Sequence, residues 1–239
     1  MARRRFFVPE VKNGQAELEG DDAKHLTQVL RVETGEIYEI SDNERVYIAE
    51  VTLARKAHVL FQVVEELPPP EPLRPLIVLV SLIKFERLET VIEKATELGA
   101  TEIKLVRAER SEKGLDLAAP KRMARWKRIA LEASQQSRRS MLPEISGPVA
   151  LRNALELVAD HRIFLDEERT GQPLLDVVQK PGTVALLTGP EGGWPDHERE
   201  SAMKAGWSPV TLGPFILRAE TAAIAAMAAV QAAFLRTQG

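Results

Sequence analysis

Hydrophobic residues occur in short, separate stretches over the first third of this chain. These stretches are rich in β-branched and aromatic residues and are separated by turn residues such as Gly35. They predict strands at 5–8, 36–41, 46–52 and 59–64. Apolar residues at helical spacing predict one helix over 21–29, with Asp21 or Asp22 as its cap. The first third is therefore predicted to be a small, mostly β unit.

The rest of the chain alternates between strand-like and helix-like patterns. The continuous apolar run Leu76–Leu82 is typical of a strand that is covered on both faces. Helical spacing follows over Arg87–Leu98 and stops at Gly99. Further strands are predicted at 102–107, 162–165, 183–188 and 210–212, and further helices at 121–136, 195–205 and 218–235. This alternation predicts an α/β fold with a mostly parallel sheet.

A proline-rich stretch separates the two patterns. It reads LPPPEPLRP over 67–75. Five prolines in nine residues exclude a helix or a central strand. We therefore predict a first domain over 1–69, a linker over 70–75 and a second domain over 76–239.

Composition excludes several classes of protein. The 239 residues are 44% hydrophobic and 28% charged, which suits a folded core and not a disordered chain. There is no cysteine, so disulfides, thiolate metal sites and cysteine nucleophiles are excluded. The four histidines have no metal-ligand spacing, and we predict no metal site. The N-terminus lacks the apolar stretch of a secretory signal, and the apolar run at 222–235 is too short to span a membrane. We expect a cytoplasmic protein with no membrane partner.

Charge is distributed unevenly along the chain. The formal net charge is −3, yet residues 104–139 contain eleven basic and four acidic residues. A second basic cluster is formed by Arg3, Arg4 and Arg5. Such asymmetry indicates an anionic partner, although any one of these residues is more often part of a solvated helix face.

The segment LLTGPEGGW, residues 186–194, is the most informative motif. An apolar strand runs into a loop with three glycines, which permit sharp turns and a close approach to a ligand. The spacing matches neither the dinucleotide-binding nor the P-loop pattern. The loop has no lysine and contains Glu191, which disfavours a phosphate and favours a neutral or cationic ligand. An ordinary strand-to-helix loop is the alternative interpretation.

A second motif, VTLGPFILRAETAA, occupies 210–223. The polar residues Arg218, Glu220 and Thr221 precede an alanine-rich helix. Small residues allow such a helix to pack closely on its neighbours or on a second subunit. A plain buried C-terminal helix is the alternative.

Together, LLTGPEGGW and LGPFILRAETAAIAA resemble the RsmE family of 16S ribosomal RNA uridine-N3 methyltransferases. These enzymes belong to the SPOUT class, which uses S-adenosylmethionine. Three further segments are similar to the family: KFERLETVIEKATELGATEI at 84–103, RWKRIALEASQQSRRSMLPEI at 125–145, and RRFFVP at 4–9 with HLTQVLRVETGE at 25–36. The resemblance covers almost the whole chain, in order.

The resemblance implies a fold, an activity and partners. The fold would be a C-terminal SPOUT α/β-knot with a mostly parallel sheet, preceded by a small PUA-like β-barrel. The activity would be S-adenosylmethionine-dependent methylation of uridine N3 in 16S rRNA, with the 30S subunit as partner and a homodimer formed through the C-terminal domain. Two alternatives remain open: a non-catalytic RNA-binding assembly protein, and a SPOUT methyltransferase acting on another RNA position. A small-molecule enzyme is disfavoured by the missing lysine.

The resemblance also assigns site residues. The cofactor pocket would be formed by Leu187, Thr188, Gly189, Glu191, Gly192, Gly193, Leu212, Gly213, Pro214, Ile216 and Leu217. Uracil N3 must lose a proton before it attacks, and a fixed cation would stabilise the resulting charge. Arg218 is the leading candidate for this cation, with Arg4 or Arg5 as the second. Glu220, the other predicted catalytic residue, or Glu191 would accept the proton or face the sulfonium. There are structural alternatives for both residues. Arg218 would position a phosphate or pair with Glu220, and Glu220 would cap the helix.

Basic residues supply the predicted RNA contacts, because phosphate binding provides affinity without sequence information. The predicted residues are Arg3, Arg4, Arg5, Arg110, Lys113, Arg125, Arg128, Arg138 and Arg139. The chain departs from the family at Phe215, where a basic residue is common. Phe215 either stacks on a base or adenine, or fills the core.

Overall fold

The computed structural model describes residues 4–69, 74–168 and 171–237. The chain divides into two compact units, one of residues 1–72 with 134–142, and one of residues 73–133 with 143–239. The predicted linker at 70–75 lies mostly outside the described residues. No sequence pattern predicts that residues 134–142 belong with the first unit. They do so through side-chain bonds: Ser41 Oγ donates to the Ser140 carbonyl at 2.6 Å, and Asn43 Oδ1 accepts from the Leu142 amide at 2.6 Å.

The first unit contains a six-stranded sheet. Its strands are β1 (Arg5–Phe7), β2 (Val11–Lys12), β3 (Gln15–Glu19), β4 (Ile37–Ser41), β5 (Val46–Arg55) and β6 (His58–Glu66). Their order is β1-β4-β5-β6-β3-β2, and all pairs except β1–β4 are antiparallel. Within residues 4–69 the end strands β1 and β2 are not paired with each other, so the sheet is an open half-barrel. Phe6, Ile40, Val51 and Phe61 form its core.

Two features of the first unit differ from the sequence prediction. The helix predicted over 21–29 is a short α1 (Gly20–Lys24) that continues as a π-helical turn, His25–Val29. Strands β2 and β3 were missed because they are short. In β3 only Ala16 and Leu18 are buried, which is too brief an alternation to detect.

The second unit contains a seven-stranded sheet flanked by helices. Its strands are β7 (Leu76–Ser81), β8 (Glu102–Arg107), β9 (Glu144–Ala150), β10 (His161–Leu165), β11 (Gln172–Pro173), β12 (Val184–Thr188) and β13 (Ser208–Thr211). Its helices are α2 (Phe85–Glu97), α3 (Leu115–Gln136), α4 (Leu151–Ala154), α5 (Leu174–Val177), α6 (Asp196–Lys204) and α7 (Ala219–Thr237). Every recorded pair is parallel, so the predicted α/β fold is confirmed.

Strand order positions the functional site. The order is β11-β13-β10-β12-β7-β8-β9, so β12 is inserted between β10 and β7. Because all of these strands are parallel, the carboxyl ends of β13, β10 and β12 lie side by side at one edge of the sheet. In open parallel sheets, ligands bind outside this edge, where the strand order reverses.

Both faces of the second sheet are covered, as the continuous apolar strands require. In β12, Val184 and Leu186 face one hydrophobic cluster, while Ala185 and Leu187 face the other. No helix in the described part of the chain is long and apolar enough to cross a membrane.

Candidate functional site

A cleft of about 370 Å³ lies at the carboxyl ends of β10, β12 and β13. Residues 165–167 form one wall, residues 188–193 the second, and residues 210–213 and 215–219 with Ala222 the third. Arg87 of α2 completes the lining. The two glycine-containing motifs, which are about twenty residues apart in sequence, thus form a single cleft. The interpretation of 186–194 as an ordinary connecting loop is therefore disfavoured.

The three glycines of the loop after β12 are closely packed against neighbouring side chains. A Cβ atom on Gly189 would lie 3.0 Å from Trp194 Nε1, and one on Gly192 would lie 3.1 Å from Arg110 Cβ. Gly193 has a φ of +70°, and a Cβ there would lie 2.4 Å from Glu167 Oε1. Glycine permits this left-handed backbone and leaves room for the carboxylate.

Trp194 connects the loop after β12 to the end of β10. Its ring is buried and packs edge-to-face against Phe164, with ring centroids 6.4 Å apart. Its indole Nε1 donates to the Leu165 carbonyl at 2.9 Å, and its backbone amide donates to Glu167 Oε1 at 2.9 Å. Two walls of the cleft are therefore fixed to each other.

Arg199 of α6 organises the acidic residues beneath the cleft. It contacts Asp196 at 2.9 Å, Asp166 at 3.0 Å, Glu168 at 3.2 Å and Glu167 at 3.3 Å. The Asp166 side chain is fully buried and that of Arg199 is 7% exposed. Burial alone would lower the pKa of Arg199, but the hydrogen bond to Asp166 and the surrounding carboxylates outweigh it and raise the pKa. The arginine is thus a charged, buried anchor.

Arg87 joins the two acidic residues that the sequence singled out. Its Nη1 lies 3.0 Å from Glu191 Oε1, and its Nε lies 3.8 Å from Glu220 Oε1. The backbone amide of Lys84 also donates to Glu191 Oε1, at 3.4 Å. Glu220 Oε2 is buried and has no hydrogen-bond partner among the described residues. Glu220 is therefore paired with Arg87 and not with Arg218.

Arg218 lies at the rim of the cleft with its side chain exposed. Within the described ranges, this side chain forms no ion pair. The neighbouring apolar side chains are also exposed: Phe215 is 81%, Ile216 75% and Leu217 38% exposed. Phe215 therefore does not fill the core. A cation beside exposed apolar groups is suited to contact a planar, polar substrate.

Most of the predicted cofactor residues come together. Nine line the cleft: Thr188, Gly189, Glu191, Gly192, Gly193, Leu212, Gly213, Ile216 and Leu217. Leu187 and Pro214 do not, because Leu187 faces the core with 1% exposure and Pro214 points to solvent. Of the two predicted catalytic residues, Arg218 lines the cleft and Glu220 does not.

Sequence reasoning missed Arg87, Asp166 and Glu167, which line the cleft, and Arg199, which anchors two of them. A signal for the two acids was present. They directly follow a predicted strand, and the carboxyl end of a parallel strand is where ligands bind.

Many of the predicted RNA-contact arginines already have partners in the protein. Arg5 and Arg138 both bind Glu39, at 2.8 and 2.5 Å. Arg125 forms two 2.7 Å bonds to Glu89, Arg128 binds Glu132 at 2.7 Å, and Arg110 donates to the Gly192 carbonyl at 3.1 Å. Burial lowers the pKa of Arg139 to about 10. Arg4 and Lys113 are exposed and form no ion pair within the described part of the chain, and Arg3 lies outside it.

One group of metal-ligating side chains lies in the first unit. Pairing of β3 with β6 brings His58 beside Glu17 and Glu19, with ligand atoms within 4.8 Å of one another. Sequence analysis did not predict this group, because the two strands are distant in the chain. Exposed acidic groups of this kind are common without an ion.

Replacing Gly193 with alanine is expected to destabilise the second unit. The new Cβ would both adopt a left-handed φ and displace Glu167. Gly20→Ala is a matched control, since Gly20 has a φ of +64° and open space around its Cβ position. We expect Gly193→Ala to lower the free energy of unfolding by about 1–3 kcal/mol more than the control, measured by urea denaturation. Equal losses would mean that backbone strain alone requires glycine here.

Comparison with known proteins gives concordant results. The RNA methyltransferase domain family matches residues 69–231. The ribosomal RNA small subunit methyltransferase E of Synechocystis is 33% identical over 97% of this chain and 78% of its own length. The ribosomal RNA small subunit methyltransferase E of Aquifex aeolicus is 30% identical over 92% of this chain and 95% of its own length.

Solved structures extend the comparison to the fold. A ribosomal RNA small subunit methyltransferase E from Neisseria gonorrhoeae, bound to S-adenosyl methionine, is 31% identical with a TM-score of 0.88, covering 96% of this chain and 97% of that one. A putative methyltransferase from Legionella pneumophila, also in complex with the cofactor, is 31% identical with a TM-score of 0.88 over 98% of both chains.

Proposed function

Since this chain belongs to the RNA methyltransferase family, we propose that it transfers a methyl group from S-adenosylmethionine to N3 of a uridine in 16S ribosomal RNA. The observation that carries this proposal is the single cleft into which the two motifs of the resemblance fold. The second unit has a parallel sheet and matches the solved relatives, and it therefore has the α/β fold of the SPOUT class. The knot, the PUA-like character of the first unit and the site roles remain predictions.

The residues of the cleft fit the cofactor. Glycines 189, 192 and 193 line the cleft and carry no side chains, so their backbone groups are open to whatever is bound. Apolar side chains of Leu165, Val210, Leu212 and Leu217 suit a purine ring. The loop contains no lysine and its one carboxylate, Glu191, is paired with Arg87, whereas Glu167 presents a partly exposed carboxylate, which suits a cation better than a phosphate.

The bound cofactor would supply an electrophilic methyl group on a sulfonium, and the protein must supply a reactive uracil. Loss of the N3 proton spreads negative charge onto the flanking carbonyl oxygens. Arg218 is the exposed cation at the rim, and in this proposal it stabilises that charge. Glu220 pairs with Arg87 beside the cleft and has one buried oxygen without a hydrogen-bond partner among the described residues, and in this proposal it accepts the proton.

RNA binding and dimerisation complete the proposal. Arg4 and Lys113 are available for phosphates of the 30S subunit, whereas the paired arginines would first have to leave their carboxylates. The small residues of α7 suit packing against a second copy, which sedimentation would detect as a mass of two chains. Because the substrate is ribosomal, we expect the protein to act in the cytoplasm.

Methyl transfer to undermethylated 30S particles tests this proposal. We expect radiolabel from S-adenosylmethionine to enter 16S RNA and to elute with N3-methyluridine after digestion to nucleosides. Label on another nucleoside would instead indicate a methyltransferase that modifies a different position of the RNA. Salt-dependent RNA binding without a cofactor-induced thermal shift would instead favour the non-catalytic assembly protein.

A further inference from the structure

Glu167 differs from the other acidic residues that line the cleft. Asp166 is fully buried and bonded to Arg199, and Glu191 is bonded to Arg87 and to the Lys84 amide. Both recorded hydrogen bonds of the Glu167 carboxylate are made to one oxygen, Oε1. Within the described ranges, its second oxygen, Oε2, has no protein donor, and the side chain is 36% exposed.

Three neighbouring residues determine the position of the Glu167 carboxylate. The Trp194 amide donates to Oε1 at 2.9 Å, and Arg199 Nη2 donates at 3.3 Å. Gly193 leaves the space that Oε1 occupies, since a Cβ there would lie 2.4 Å away. A carboxylate fixed through one oxygen loses little conformational entropy when its other oxygen binds a ligand.

Ligand chemistry follows from the carboxylate and its surroundings. An ionised carboxylate only accepts hydrogen bonds, so its partner must be a donor such as a hydroxyl or an ammonium group. Glu167 follows the carboxyl end of β10, beside the apolar wall of Leu165, Val210 and Leu212. In nucleotide-binding parallel sheets, an acid beyond a strand end binds ribose hydroxyls next to the base.

We propose that Glu167 binds the ribose hydroxyls of the nucleoside cofactor through Oε2, with Arg199 as its positioning residue. This inference rests on the proposed function, which supplies the nucleoside. A base on the apolar wall and a diol on the adjoining carboxylate match the order of groups in adenosine. The pair thereby selects a ribonucleoside over its deoxy form.

Calorimetry with neutral analogues tests this proposal. The probes are S-adenosylhomocysteine, methylthioadenosine, which keeps the ribose but lacks the amino-acid tail, and its 2′-deoxy and 3′-deoxy forms. We expect Glu167→Ala to weaken binding of the first two by about 10- to 100-fold, as loss of a charged hydrogen bond requires. The variant should also bind at least one deoxy form as tightly as methylthioadenosine, whereas the wild type discriminates.

A matched control is available in the next residue. Glu168 contacts the same Arg199, at 3.2 Å, but does not line the cleft. Glu168→Ala should therefore leave all affinities within about twofold. If Glu167→Ala unfolds, Glu167→Gln keeps an oxygen for the Trp194 amide, and it should still reduce the discrimination against the deoxy forms.

Three results would overturn the assignment. Weakened binding of S-adenosylhomocysteine with unchanged binding of methylthioadenosine would place the carboxylate on the amino group of the tail. Unchanged affinities in Glu167→Ala, or discrimination against both deoxy forms that survives in both variants, would remove it from the site. If the wild type binds no probe, the proposed function itself fails, and this outcome is distinct from the others.

Discussion

Replacing Arg218 with alanine is expected to lower the rate of methyl transfer by about 100- to 1000-fold. The arginine lies at the cleft rim without an ion-pair partner among the described residues, so its charge is available to a uracil anion. Because this charge develops only as N3 loses its proton, the substitution should change the transfer rate and leave the affinity for S-adenosylmethionine within about threefold. Single-turnover transfer to 30S particles and calorimetry measure the two quantities.

Two variants control this prediction. Arg218→Lys keeps the charge and should recover part of the rate. Lys204→Ala removes an exposed cation on α6 that does not line the cleft, and should leave transfer unchanged. An Arg218→Ala enzyme with a normal rate, or with a loss explained by weaker cofactor binding alone, would contradict the assigned role.

Replacing Arg199 with methionine is expected to lower the free energy of unfolding by about 3–5 kcal/mol. The substitution keeps an unbranched aliphatic side chain but removes the guanidinium that binds Asp166, whose side chain is fully buried. Loss of this charged partner is costly because water cannot hydrate a carboxylate that is buried in the protein. Urea denaturation of the two proteins at pH 7 measures the difference.

Arg125→Met is the matched control for Arg199→Met. Arg125 also binds a carboxylate, through two 2.7 Å bonds to Glu89, but its side chain is 60% exposed. An exposed pair contributes little to stability because solvent screens it, so this variant should unfold nearly as the wild type does. Comparable losses in the two variants would show that burial of the Arg199 cluster does not determine its contribution.

Much of the second unit could be predicted from the sequence. The apolar strands β7 and β12 are continuous because both sheet faces are covered, and this is visible in the residue pattern alone. In contrast, β9 contains Gly147 and Pro148, a pair of residues that indicates a turn, so the strand was not predicted. The association of residues 134–142 with the first unit depends on bonds such as Ser41 to Ser140, which join residues 99 positions apart. No local pattern encodes such a bond.

The candidate site was predictable where backbone shape determines it, and not where distant side chains meet. Gly193 carries its own signal, because few residues other than glycine adopt its left-handed backbone. The bond between Glu167 and Arg199 joins residues 32 positions apart. The ion pair of Arg87 with Glu191 joins helix α2 to the loop after β12, which are far apart in the sequence. Charge alone was also a poor guide to RNA contacts, since Arg5 and Arg138 were predicted to bind RNA but both form ion pairs with Glu39.

A crystal structure of the protein grown with S-adenosylhomocysteine addresses the main proposal most directly. We expect the nucleoside to occupy the cleft between residues 188–193 and 210–219, with its ribose beside Glu167. A nucleoside bound elsewhere, or an empty cleft in a protein that still methylates 30S particles, would contradict the proposal.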